Sequence, residues 1–179
     1  RTETDETGNA FRLKLDSIAG SNFSIDTAYA TKDVENDQVA ADLKRDSKTI
    51  YLKGQYRQPL SQTSFLLPSL IYQSSSADGD ASSYDQFGGE ISYFKVMNRH
   101  QLALTAGYNH RSYDAAHPEY GTTRSDNNYS LFAAYEYKNF MEWDDWSFIA
   151  LAGYGSGQSN ITFYDETESL VSVGLNYQF

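Results

Sequence analysis

The chain has 179 residues, room for one folding unit, and its 24 acidic against 14 basic residues give a formal charge of −10. That charge repels nucleic acid and anionic headgroups, so a nucleic-acid partner is excluded from the reading. With no cysteine there is neither a disulfide framework nor a thiolate metal centre, and no apolar stretch reaches the roughly 18 residues of a membrane-spanning helix.

Fifteen tyrosines, ten phenylalanines and two tryptophans sit in a chain of low mean hydropathy. A sheet with one apolar face and one polar face accommodates both facts. Arg1 to Gly8 are polar, unlike a signal peptide, and are expected to be a loop or a cut end.

From there, apolar and polar residues alternate in about nine segments of roughly ten residues, the length of a tilted membrane strand. The first, Asn9 to Ser17, sets Phe11, Leu13 and Leu15 against Arg12, Lys14 and Asp16. The second sets Phe23, Ile25 and Tyr29 against Ser24, Asp26 and Ala28. In the third, Ile50, Leu52 and Tyr56 oppose Lys53, Gln55 and Arg57, with Tyr51 on the polar side. The fourth, Thr63 to Gln73, is ambiguous in face: Phe65, Leu66 and Leu67 are consecutive, and Pro68 lacks a ladder donor, so a bulge or edge-like kink is expected.

Later segments are cleaner. Phe87, Ile91 and Tyr93 share a face, with Glu90 on the other; Leu102, Leu104, Ala106 and Tyr108 follow. Next comes Tyr129 to Tyr137, whose polar side continues through Glu136 and Lys138, and then Trp146 to Tyr154. The last segment, Leu170 to Phe179, turns Val171, Val173, Leu175, Tyr177 and Phe179 one way.

Connections are expected to alternate between short and long. The short ones lie near Gly20 to Asn22, Pro59 to Gln62, Met97 to Arg99 and Asn139 to Asp145; the long ones run about Asp33 to Ser47, Ser74 to Asp85, Ser112 to Asp126 and Gly155 to Glu168. Tight turns on one side and long loops on the other suit an outer-membrane barrel. The expected fold is therefore all-β, an antiparallel up-and-down transmembrane β-barrel with about nine strands in this chain. Its inward charges would be Arg12, Lys14, Asp16, Asp26, Lys53, Arg57, Glu90, Glu136 and Lys138, forming either a constriction or a salt-bridged plug, depending on strand number. Tyr56, Tyr93, Tyr108, Tyr135, Tyr137, Trp143, Trp146 and Tyr177 would form interfacial girdles.

The closing strand ends in Phe179, with Tyr177 two residues earlier and Leu175 and Val173 at the preceding alternate positions. This resembles the signal by which bacterial outer-membrane barrels are read by their assembly machinery. The resemblance implies capture of the last strand by β-augmentation through Val173, Leu175, Tyr177 and Phe179. The stretch Ser159 to Asp165 followed by that strand is also similar to the end of the barrel in surface lipoprotein assembly modifier proteins, which are related to tetratricopeptide-linked outer-membrane proteins. That second resemblance implies a larger barrel helping to deliver lipoproteins or other substrates to the cell surface.

With Phe179 in the periplasm, counting back through the turns starts the Asn9 to Ser17 strand outside the cell. Either the chain is the C-terminal portion of a larger barrel, completed by another segment or chain, or it is an eight-stranded barrel flanked by its first twenty residues. The leading expectation is a non-enzymatic channel or translocation conduit in the outer membrane, without cofactor, whose partners are lipid and the assembly machinery. A small structural or adhesion barrel and a barrel hydrolase are the alternatives. For the hydrolase, His110 and His117 with Asp114 and Glu119 are the residues to watch. Asp78-Gly79-Asp80 with Asp85 lacks the loop spacing and bidentate glutamate of a calcium site, and no metal is expected there.

Overall fold

A computed structural model of the chain describes residues 6–35, 39–143 and 145–177. It contains β1 (Glu6–Leu15), β2 (Phe23–Val34), β3 (Ser47–Tyr56), β4 (Gln58–Ser61), β5 (Ser64–Ala77), β6 (Tyr84–Met97), β7 (His100–Ala116), β8 (Thr123–Lys138), β9 (Trp146–Ser159) and β10 (Glu166–Tyr177). All belong to one antiparallel up-and-down sheet in the order β1-β2-β3-β5-β6-β7-β8-β9-β10, with β4 a short addition to β5. The long strands are the nine that the alternation predicts. The sheet is open: among the described residues neither β1 nor β10 is paired along its outer edge.

Strands β1, β3, β6, β8 and β10 run towards one end of the sheet, the near end, where β10 finishes. Strands β2, β5, β7 and β9 run back to the far end, and β4, antiparallel to β5, runs with β3. Residues 16–22, 57–63, 98–99 and 139–145 connect strands at the near end, and residues 35–46, 78–83, 117–122 and 160–165 at the far end.

Three far-end connections are therefore only six residues long, which corrects the expectation of long loops there. Strands β5 to β9 run 14 to 17 residues, not about ten. Beyond the apolar band both faces become polar, which reads as loop in the sequence, yet the backbones continue to pair. Glu6 to Gly8, expected as loop, are likewise already paired with Val34 to Lys32.

The fourth segment also differs from expectation. Strand β5 pairs with β6 in unbroken register from Ser64↔Lys95 to Ser75↔Tyr84, and the irregularity lies in β4, between Pro59 and Ser61. Pro68 needs no kink because its other side falls at a gap: β3 pairing stops at Gln55↔Ser69 and β4 pairing starts at Gln58↔Leu66. The missing N–H thus sits where no ladder partner exists.

Across an antiparallel ladder, paired residues point to the same side, so the register sorts every strand residue onto one of two faces. One face carries Phe11, Leu13, Ile50, Leu52, Leu70, Ile91, Leu104, Leu131, Val171 and Val173, all well exposed. The opposite face carries the charges. Only Val34, Ala81 and Ile161 are buried hydrophobic residues among those described, and no large side chain is fully enclosed. At the far end two neighbouring connections meet: a Cβ on Gly79 would lie 2.5 Å from the Lys44 backbone nitrogen and 2.6 Å from the Asp42 carbonyl, so only glycine lets them touch.

Candidate functional site

By register, Arg12, Lys14, Asp26, Lys53, Glu90, Glu136 and Lys138 lie on the charged face, and Asp16 and Arg57 lie outside the strands. Arg12 donates from Nε to Asp26 Oδ1 at 2.8 Å, with a second contact through its Nη2, and joins β1 to β2. Lys53 reaches from β3 across β5 to Glu90 on β6, at 2.5 Å. Lys14 pairs with Asp16 at 3.2 Å, and Asp16 lies in the turn after β1 instead of on the strand face. Arg57 falls between β3 and β4 and lays its guanidinium 4.1 Å above the Phe65 ring. Glu136 and Lys138 lie on this face near the end of β8, in register with Gln101 and Ser147.

A second cluster, at the far end of the same face, sits where the sequence suggests loop. Arg111 donates to Gln86 Oε1 from Nε at 3.0 Å and Nη2 at 2.8 Å while stacking 4.4 Å over Tyr84. Arg124 pairs with Asp126 at 2.8 Å and stacks 3.6 Å over Tyr164. Glu166 and Glu168 fold over Gly157 and Gly155; a Cβ at Gly155 would stand 2.8 Å from a Glu168 carboxylate oxygen. Apart from Tyr84, these groups line a polar cavity of about 260 Å³. The signal was present as alternation, Arg124, Asp126, Asn128 on one side, but it ran through stretches polar on both faces. Tyr164, in the connection above, has its phenol pushed up from the ordinary value by burial.

The charged face is not uniformly polar. Towards the near end Phe65 stacks on Phe94 with centroids 5.0 Å apart, and these rings with Val96, Ala103, Ala134 and Ile149 line an apolar groove of about 450 Å³.

On the apolar face the aromatic residues form bands. Tyr108 and Tyr129 lie 5.2 Å apart towards the far end; Trp146 lies 5.1 Å from Tyr177 and 6.2 Å from Trp143 at the near end. Val173, Leu175 and Tyr177 occupy this face of β10 and are exposed, whereas Phe179 lies outside the described residues. Between the bands runs an apolar depression of about 600 Å³, lined by Leu104, Ala106, Leu131, Ala133 and Tyr154 among others.

The three histidines are held apart. His100 Nδ1 bonds to the Tyr135 hydroxyl at 2.6 Å near the start of β7. His117 is buried in a far-end turn, its Nε2 2.8 Å from the Tyr164 hydroxyl and its Nδ1 accepting from the Glu119 backbone N–H at 3.2 Å. His110 stands on the apolar-face side of β7, two residues past Tyr108. Its Nδ1 is 3.0 Å from Asn127 Oδ1 and its Nε2 is 3.1 Å from Ser112 Oγ, while the Tyr108 hydroxyl donates to the same Asn127 oxygen at 2.8 Å. Among the described residues, His110 and His117 thus share no partner, and neither bonds to the Asp114 or Glu119 carboxylate. Asn127 was missed because it comes opposite His110 only through the β7–β8 register, and Ser112, two residues on along the same face of β7, because the stretch from Ser112 reads as a loop. Among the described residues no three histidine or acidic side chains converge as metal ligands, Asp78, Asp80 and Asp85 included.

The fold defines an all-β protein, a single antiparallel up-and-down sheet with one charged and one apolar face. The family described as "Protein of unknown function (DUF2860)" matches residues 1–178, and the chain belongs to it. No curated protein and no solved structure matches the chain.

Proposed function

We propose that this chain forms part or all of a transmembrane β-barrel in the outer membrane of a Gram-negative bacterium, with its charged face lining a conduit for polar solutes or exported substrates. The observation that carries the reading is the absence of a core among the described residues: apolar side chains of nine strands stand exposed on one face, and only three small or medium hydrophobic residues are buried. Water does not tolerate so large a contiguous apolar surface, whereas lipid tails cover it without cost. Long paired strands with tyrosine and tryptophan at both borders of the apolar band suit that environment.

A conduit requires a closed wall. Because β1 and β10 both run from the far end to the near end, direct joining would make the single parallel junction in an antiparallel sheet. An odd number of further strands, supplied by another segment or chain and antiparallel to both edges, closes the wall without it. In the same reading, Val173, Leu175, Tyr177 and Phe179 engage the barrel assembly machinery during insertion. Ion pairs such as Lys53 with Glu90 hold the wall chemistry in place and set selectivity.

The test is to express the full-length protein, fractionate the membranes, and measure both heat-dependent gel mobility and single-channel conductance in planar bilayers. Recovery in the outer-membrane fraction with discrete conductance steps is expected. A monomer that stays folded in buffer without detergent would refute the membrane assignment, and a silent but inserted barrel would refute the conduit.

A further inference from the structure

The outward side of β7 and β8 carries a hydrogen-bonded relay of the kind that activates a serine. Ser112 Oγ is 3.1 Å from His110 Nε2, and His110 Nδ1 is 3.0 Å from Asn127 Oδ1. Both distances lie within the range for a nucleophile, its base and the group that orients the base. The tautomer follows from the partners. Asn127 Oδ1 can only accept, so His110 Nδ1 carries the proton and the Nε2 lone pair faces the serine. The Tyr108 hydroxyl donates to the same oxygen at 2.8 Å, a second donor on that amide oxygen. All three relay residues are accessible, His110 and Ser112 lying on the exposed side of β7.

Position supplies the substrate class. Strand β7 passes outward-facing Leu104, Ala106 and Tyr108 before reaching His110 and Ser112, so the relay stands just beyond the far-end aromatic border of the apolar band. The apolar depression of about 600 Å³ begins on the same face at Ala106 and Leu131. Six residues of extended strand separate Ser112 from Ala106, about 20 Å, the scale of an extended acyl chain lying along the sheet with its ester at Ser112.

We propose that Ser112, His110 and Asn127 form an esterase site on the lipid-facing side of the sheet, cleaving long-chain acyl esters of membrane lipids; this rests on the reading that the apolar face contacts lipid. Ser112 is the nucleophile and His110 the general base, while Asn127 and Tyr108 are positioning residues. Ser112 Oγ bonds to the acyl carbon as its proton passes to His110 Nε2. The ester C–O bond then breaks, and His110 returns the proton to the departing alkoxide. Water attacks the acyl-serine, giving one proton through His110 to Ser112 Oγ and leaving a free fatty acid and the alcohol.

Two probes test the site on the full-length protein folded in non-ionic detergent micelles: a hexadecyl sulfonyl fluoride and a short aryl sulfonyl fluoride, each followed by peptide mass spectrometry. Release of fatty acid from a phosphatidylcholine substrate is measured in parallel. The long-chain reagent is expected to label Ser112 faster than the short one, and Ser112→Ala to abolish labelling and hydrolysis together. His110→Ala should lower hydrolysis by about 10²- to 10⁴-fold. Asn127→Ala should lower kcat more than it raises KM, with Asn127→Asp restoring activity, a pattern that a merely structural role does not produce. Heat-dependent mobility confirms that each variant is folded.

Folded protein unlabelled at Ser112, or hydrolysis unchanged in Ser112→Ala, overturns the proposal. Labelling by the short reagent alone overturns the lipid substrate. These outcomes are separable from failure of the membrane reading, which is scored by fractionation.

Discussion

Adjacent positions on β8 test the two-faced sheet most directly. Leu131 is 59% exposed on the apolar face, between Tyr129 and Tyr135 of the same strand face, while Ser130 points to the charged side opposite Gly107. Six residues separate the two tyrosines, about 20 Å of strand, so Leu131 lies well inside the apolar band. Lysine at such a position costs about 2–4 kcal/mol in a membrane barrel, roughly a 30- to 700-fold loss in the folded-to-unfolded ratio. Leu131→Lys should show at least that loss, because the leucine's own contact with lipid goes as well. Ser130→Lys, one residue away on the same backbone, places its charge near Glu90 and Glu168 and should change stability by no more than about 0.5 kcal/mol. Denaturant titration of the protein in lipid vesicles, followed by gel mobility, measures both. Equal costs at the two positions, or a larger cost at Ser130, would refute the assignment of faces.

Other outcomes follow from particular contacts. A double-mutant cycle of Lys53→Met and Glu90→Gln should return a coupling of about 1 kcal/mol, since the pair spans β5 yet remains partly exposed; zero coupling would place the two side chains apart. Gly79→Ala should destabilise the far end by about 1–3 kcal/mol, because its methyl meets backbone at residues 42 and 44, and faster proteolysis there would register it. The chain has no native cysteine, so Leu13→Cys with Val173→Cys reports on the sheet edges. Neighbouring strands lie about 4.8 Å apart, and a disulfide needs Cα atoms within about 7 Å. No direct bond is expected if a further strand intervenes, and rapid oxidation to that bond would show that β1 and β10 meet. Burial raises the Tyr164 phenol, so the folded protein holds that proton to higher pH than the unfolded chain. The stability associated with the neutral phenol is present below the ordinary tyrosine range and lost as pH rises through the folded value, a dependence that Tyr164→Phe should remove from alkaline denaturation curves.

Strand identity and facing were legible in the sequence because alternation is local. Phe11 against Arg12, or Leu131 against Ser130, is decided by the pleat alone, and the structure keeps these assignments wherever one side is apolar. The same rule explains the failures. Where both sides turn polar, as from Ser112 to Ala116 and Thr123 to Asp126, the pattern carries no contrast, and paired strand reads as loop. Arg124, Asp126, Glu166 and Glu168 were hidden for that reason, and the consecutive apolar run at Phe65 to Leu67 hid the facing of β5.

The amino-acid order by itself settled that this is an all-β chain of nine long strands with two chemically opposed faces, since each residue's side depends only on its neighbours. Cross-strand company was decided by the tertiary structure: Lys53 beside Glu90, His110 beside Asn127, and Pro68 at the gap between β3 and β4. Those meetings depend on register, which is fixed by hydrogen-bonded pairing between residues many positions apart and leaves no mark in any short stretch of sequence.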